Sequence, residues 1–160
     1  MESNRLTLER RLLDLDSLVR EVVERQQAVA PDRSLELHVE GPGLKVYVDP
    51  LRVDEVLTNL LTNALKYSDP PTPIKVDVQT VNNKVVVLVT NRGPGISPDE
   101  LPRLFGRYYR TVRARASAGG LGLGLHIAKG LIEAHGGHIW AESTPGQTTT
   151  FGFALPSAPH

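Results

Sequence analysis

Residues 51–67, LRVDEVLTNLLTNALKY, decide the fold class. Val56, Leu57, Leu60, Leu61, Ala64 and Leu65 recur at three- and four-residue steps, the pattern of a helix with one broad face in a core. Asp49 or Pro50 opens this helix, and Asp-Pro-Pro-Thr-Pro at residues 69–73 breaks it. On the opposite arc stand Glu55, Asn59, Asn63 and Lys66. Asparagine is a poor helix former because its amide competes for backbone hydrogen bonds, so two of them four apart ask for a reason. An amide oxygen is a hard ligand suited to Mg²⁺, which keeps several waters and bridges phosphates. Lys66, one turn further, would meet such phosphates as a point charge. Taken alone, the commoner reading of such a face is a solvated helix surface.

Working outward, residues 16–29 place Leu18, Val22 and Val29 at helical spacing, with Pro31 beyond the end. Residues 34–39 alternate as a half-buried strand, Gly41-Pro42-Gly43 is a turn, and residues 45–48 form a short second strand. Two further strands, 74–80 and 85–90, are joined by Asn82-Asn83, a hairpin signal. Residues 91–122 are rich in Gly, Pro and Arg, with one helical turn after Ser97. Helix returns at 121–134 and is stopped by Gly136-Gly137, and strands 138–142 and 149–154 close the chain. Helices and antiparallel strands interleave without regular strand–helix alternation. The expected fold is a two-layer α/β sandwich, with helices on one face of a mixed, mostly antiparallel sheet.

At 160 residues the chain fits one domain, and its 40% hydrophobic and 22% charged content is that of a soluble globular protein. The absence of cysteine excludes disulfides and thiolate metal sites and suits a cytoplasmic setting. Eighteen basic residues balance eighteen acidic ones, so the whole molecule lacks a polyanion-binding signature. The longest uncharged apolar run, at residues 85–90, is too short to cross a bilayer, and no charged-then-apolar leader opens the chain. Locally the charge is uneven: residues 101–119 hold Arg103, Arg107, Arg110, Arg113 and Arg115 with no acid. That block faces an anion or stands in water.

Asn91-Arg92-Gly93-Pro94-Gly95-Ile96 directly follows a strand, where glycines let the backbone turn and a flat ligand approach. Gly120-Leu121-Gly122-Leu123-Gly124-Leu125 leads into a helix, whose first amides and dipole make a phosphate seat. No Gly-Lys-Ser/Thr follows, so it is not a P-loop, and no strand precedes it immediately, as a dinucleotide fingerprint requires. The arginine-rich segment between the two reads as a mobile basic lid or as a solvated loop.

In this order the pieces resemble the sequence boxes of sensor histidine kinases. Residues 59–67 resemble the N box, and Gly93 to Ile96 the first glycine box. Phe105 with Tyr108, Tyr109 and Arg110 resembles the F box, and Gly120 to Leu125 the second glycine box, followed by His135-Gly136-Gly137. Residues 149–156 are similar to the family's last strand. The resemblance spans residues 14–156 and implies the Bergerat ATP-binding fold of gyrase-, Hsp90- and MutL-type ATPases. Residues 1–13 would be a junction from a dimerisation hairpin carrying the phosphoacceptor, and 157–160 a tail. The implied function is transfer of the ATP γ-phosphate to a histidine on that hairpin, with ATP and Mg²⁺ as cofactors. A response regulator would be the onward partner, with no role for nucleic acid. The parent would be a homodimer and this piece a monomer, cytoplasmic or the cytoplasmic part of a membrane-bound sensor. Two alternatives keep the fold: a nucleotide-sensing domain with little kinase activity, and an anti-sigma-factor serine kinase, which the His-Gly-Gly and Leu-Pro elements disfavour.

Residue by residue, the resemblance implies that Asn63 ligates Mg²⁺, with Asn59 beside the metal or its waters. Lys66 and Arg110 would contact phosphates, and Tyr67 would line the adenine or ribose side. Asn91, Gly93, Gly95, Ile96 and Thr149 would surround the base. Gly120, Leu121, Gly122, Leu123, Gly124 and Leu125 would hinge the lid and offer amides to the phosphates. Gyrase-like relatives carry a water-activating glutamate at the position of Asn59; an asparagine cannot serve as that base, which favours phosphoryl transfer over hydrolysis. Three positions depart from the family pattern. Asn91 stands where aspartate is usual, at a cost of ~1 kcal/mol in charge assistance. Thr148 replaces a second glycine in Gly146-Gln147-Thr148-Thr149, and Leu121 replaces a small hydroxyl residue. None of His38, His126, His135, His138 or His160 is followed by an acid, as a phosphoacceptor of this family would be. His135 and His138 are spaced like metal ligands, but the glycines between them mark a helix stop. Trp140 and Phe153 read as sheet residues facing the core.

Overall fold

The computed structural model describes residues 7–41, 44–106, 124–144 and 146–158. The elements are β1 (Arg11–Asp14), α1 (Leu15–Val29), β2 (Leu35–Val39), β3 (Lys45–Val48) and α2 (Pro50–Tyr67), then β4 (Ile74–Val81) and β5 (Lys84–Arg92). A 3-10 turn (Leu101–Arg103), α3 (Gly124–Ala134), β6 (His138–Thr144) and β7 (Thr148–Pro156) follow. Five strands make one sheet in the order β2-β4-β5-β7-β6. The β2–β4 pair is parallel and the other three pairs are antiparallel, giving the mixed sheet expected. The buried faces of the three helices share one core with Val85, Val87 and Val89 of β5 and with Phe151, Phe153 and Leu155 of β7. The fold is the two-layer α/β sandwich expected from the sequence.

Local chemistry accounts for the element ends. The Asp49 carboxylate accepts the N–H of Leu51 at 3.1 Å and of Arg52 at 3.4 Å, and Pro50 fits the first helical turn because it has no N–H to satisfy. Val53, Val56, Leu57, Leu60, Leu61 and Ala64 of α2 are buried. At its other end Arg33 donates to the Leu65 carbonyl at 3.1 Å and to the Ser68 hydroxyl, closing the last turn. Asn82 and Asn83 both adopt positive φ, 49° and 63°, as a two-residue hairpin turn requires.

Residues 11–13, which the sequence assigns to a junction, belong to β1; this strand pairs with β3 in a separate two-stranded ribbon. Phe153 is fully buried, but Trp140 does not face the core. Register pairs Ile139 with Phe153 and Trp140 with Gly152, so the two-residue period puts Trp140 on the outer face of the sheet. There it stacks on His138 with ring centroids 5.1 Å apart. The core-facing row of β6 is instead Ile139, Ala141 and Ser143.

Candidate functional site

The polar face of α2 is enclosed at two points. Asn59 donates its amide N–H to the Gly124 carbonyl at 3.2 Å, which brings the start of α3 against the middle of α2. One helix end further, a Cβ on Gly93 would lie 2.6 Å from the Tyr67 carbonyl oxygen, so the loop after β5 touches the last turn of α2. Asp69 N–H donates to the Arg92 carbonyl at 2.8 Å and fixes the same junction. Asn63 lies one turn from each of these contacts, half-buried and without a side-chain hydrogen bond among the described residues. Lys66 is exposed, its ammonium 5.6 Å from the centroid of the half-buried Tyr67 ring.

The sheet supplies the other wall. The core-facing rows of β5, β7 and β6 are apolar along most of their length and turn polar at one end, at Asn91, Thr149 and Ser143. These three are aligned across the strands: Asn91 pairs with Thr149, and Thr149 with Ser143. Asn91 and Thr149 are each 5% exposed. The Ser143 hydroxyl lies 2.9 Å from that of Thr149 and accepts the Ile96 N–H at 2.8 Å. Ser143 thereby pins the glycine loop, where Gly95 has φ +81° and Gly146 donates to the Pro94 carbonyl at 3.0 Å. Sequence reasoning passed over Ser143 because its role depends on strand register alone.

Phe105 packs edge-on to Phe151 at 6.5 Å, and its carbonyl lies 3.1 Å from Nδ1 of His126 in α3. That contact joins the two flanks of the arginine-rich segment. Arg110, Gly120, Leu121, Gly122 and Leu123, with Tyr108 and Tyr109, lie outside the described residues. Of the second glycine box, Gly124 and Leu125 are described, both half-buried in the first turn of α3.

His135 and His138 do not converge. The ring of His135 is buried and uses both nitrogens, Nε2 accepting the Asp49 N–H at 3.0 Å and Nδ1 lying 2.7 Å from the Leu131 carbonyl. His138 is on the outer sheet face against Trp140. Burial pushes His135 below its ordinary pKa, with the nearby Arg10 acting the same way, against weaker opposition from the Leu131 carbonyl and Asp49. Burial of Asp49 acts to raise its pKa, but N–H donors from Glu9, Arg52 and Leu51 and the charge of Arg52 outweigh it and hold the carboxylate below 3.8.

The sequence model of the family described as histidine kinase-, DNA gyrase B- and HSP90-like ATPases matches residues 48–159. The chain belongs to that family. It is 40% identical over 157 residues to the sensor histidine kinase CusS of Escherichia coli K12, covering 98% of this chain and 32% of CusS. The chain thus spans about a third of the length of this curated relative. Among solved structures it is similar to the mycobacterial sensor histidine kinase MprB, with a TM-score of 0.83 and 28% identity over 94% of this chain and all of that one. It is also similar to ShkA, solved in complex with AMPPNP, with a TM-score of 0.83 and 26% identity over 97% of this chain and 32% of ShkA. No described helix is long and apolar enough to cross a membrane.

Proposed function

We propose that this chain is the ATP-binding catalytic domain of a two-component sensor histidine kinase, which passes the γ-phosphate of ATP to a histidine on a separate dimerisation hairpin. The observation that carries the reading is Asn63. Its amide has no partner among the described residues and lies on a helix face held between the start of α3 at Gly124 and the glycine loop at Gly93. Asn91, Thr149, Gly93, Gly95 and Ile96 take the base, with Tyr67 on its flank. Lys66, Arg110 and the amides from Gly120 to Leu125 take the phosphates, where basic groups offset the charge that develops during phosphoryl transfer.

Mg²⁺ suits the donor set. Asn59 commits its N–H to Gly124, leaving its oxygen available beside that of Asn63. Two neutral oxygens hold a hard cation weakly, so the metal arrives with the nucleotide's phosphates, whose charge it offsets when bound. With asparagine at position 59, where gyrase-like relatives carry the water-activating glutamate, that position holds no general base, which supports transfer to a protein side chain rather than hydrolysis. The hairpin and a response regulator are the partners, in a homodimeric parent whose cytoplasmic portion includes this domain. This portion is a monomer by itself.

Titration of a fluorescent ATP analogue with and without Mg²⁺, beside Asn63→Ala, tests the binding step. Saturable Mg²⁺-dependent binding lost in the variant is expected, and no binding at millimolar nucleotide would sink the reading. Mixing the domain with a phosphoacceptor hairpin and Mg·ATP then yields acid-labile phosphate on the hairpin.

A further inference from the structure

We propose that Asn91 makes the base end of this site two-faced, so that 6-oxopurine nucleoside triphosphates are accepted alongside adenine ones. The inference rests on the nucleotide-binding reading above and adds a specificity to it. Its starting point is a buried residue whose amide is paired with no described residue. Asn91 continues the buried row Val85, Val87, Val89 of β5, and is 5% exposed. Its amide has no hydrogen-bond partner among the described residues. The glycine loop passes beside it: a Cβ on Gly93 would lie 3.5 Å from Asn91 Nδ2. A flat ligand edge at this point therefore meets a vacant donor and a vacant acceptor together.

An amide presents N–H and C=O on one head, and their positions exchange when it turns over. The outer edge of adenine offers a donor at the 6-amino group and an acceptor at N1. Hypoxanthine offers the reverse, an acceptor at O6 and a donor at N1–H. One orientation of Asn91 matches the first edge and the flipped orientation matches the second, with the same number of hydrogen bonds. No described residue holds the amide in either orientation. The adjoining hydroxyls add no bias, because between Thr149 and Ser143 either oxygen can be the donor. A carboxylate at position 91 only accepts, so it would take one hydrogen bond from either edge, from the 6-amino group of adenine or from N1–H of hypoxanthine, and repel the acceptor beside it.

The test is direct calorimetric titration of the intact protein with Mg·ATP and with Mg·ITP, inosine being chosen because it changes the edge without the extra 2-amino group of guanine. Wild-type dissociation constants within about threefold of each other are expected, a difference under about 0.7 kcal/mol. Preference of the wild type for ATP by more than tenfold overturns the proposal while leaving the nucleotide reading intact. Failure of both nucleotides to bind the folded wild type overturns both. The wild-type ratio alone decides the matter.

Discussion

Nε2 of His135, at the end of α3, accepts the backbone N–H of Asp49, the residue that caps α2, at 3.0 Å. An accepting Nε2 carries no proton, so Nδ1–H is the donor to the Leu131 carbonyl and the ring is neutral. The same carboxylate accepts the Glu9 N–H at 3.0 Å, and Arg10 donates to the Ala134 carbonyl at 3.1 Å. The incoming chain and both helices of the site thus meet at one buried imidazole. Because folding lowers the pKa of His135, the unfolded chain takes the proton first as pH falls. Its contribution to stability is complete above about 6.5 and is lost progressively below that value, down to the folded pKa. Urea midpoints measured from pH 8 to pH 5 are expected to fall below 6.5, and His135→Gln, which keeps an acceptor but cannot titrate, is expected to flatten that decline. An unchanged slope in the variant would remove His135 as the cause. Asp49 acts in a separate window: its lowered pKa contributes stability that is lost only as pH falls through and below 3.8.

Gly152 and Trp140 form a second coupled pair. A Cβ on Gly152 would lie 2.6 Å from Trp140 Cζ2 and 2.8 Å from Leu88 Cδ2, so the indole covers the strand where no side chain stands. Gly152→Ala is expected to cost ~1–3 kcal/mol as overpacking. In a Trp140→Ala background the same change should cost well under half as much, since only the mobile end of Leu88 then has to yield. Equal costs in the two backgrounds, by chemical denaturation, would contradict the contact.

How legible these features were depends on the range of the interaction that makes them. The α2 stripe and the Asn82-Asn83 turn are set by residues a few positions apart, and periodicity recovers them. Trp140 was misplaced because Ile139, Trp140 and Ala141 are apolar in succession. On an edge strand with both faces apolar, alternation cannot say which face meets the helices; the register to Phe153 can. Ser143 and His135 act through partners 47 and 86 residues away, so a local pattern shows neither role. The asparagines of α2 were visible as oddities of composition, but their division of labour required the place of Gly124.

Two glycines that look equivalent in the sequence differ in what surrounds them. At Gly93 an added Cβ meets backbone, the Tyr67 carbonyl at 2.6 Å, and neither side can move without parting α2 from β5. At Gly124 an added Cβ meets Asn59 at 3.6 Å, ordinary van der Waals contact. Gly93→Ala is therefore expected to lower the melting temperature and weaken nucleotide binding more than tenfold. Gly124→Ala should melt within about 2 °C of wild type, since alanine also favours the helix. If Gly93→Ala melted and bound nucleotide like wild type, the close approach of the glycine loop to α2 would be excluded.

Asn59 and Asn63 are predicted to fail in different ways. The Asn59 amide holds the start of α3 through the Gly124 carbonyl, whereas the Asn63 amide holds no described residue. Asn59→Asp removes the donor and sets a carboxylate against a carbonyl, which should cost ~1–3 kcal/mol. Asn63→Asp should leave stability within about 0.5 kcal/mol of wild type, as a half-buried position with no partner to lose. Asn63→Ala should likewise melt with wild type while losing the Mg²⁺ dependence of nucleotide affinity, because no described residue uses the oxygen it removes. Thermal melts paired with nucleotide titrations at zero and millimolar Mg²⁺ separate the two residues. Loss of stability at position 63 without loss of Mg²⁺ dependence would reverse the assignment and make Asn63 a structural residue.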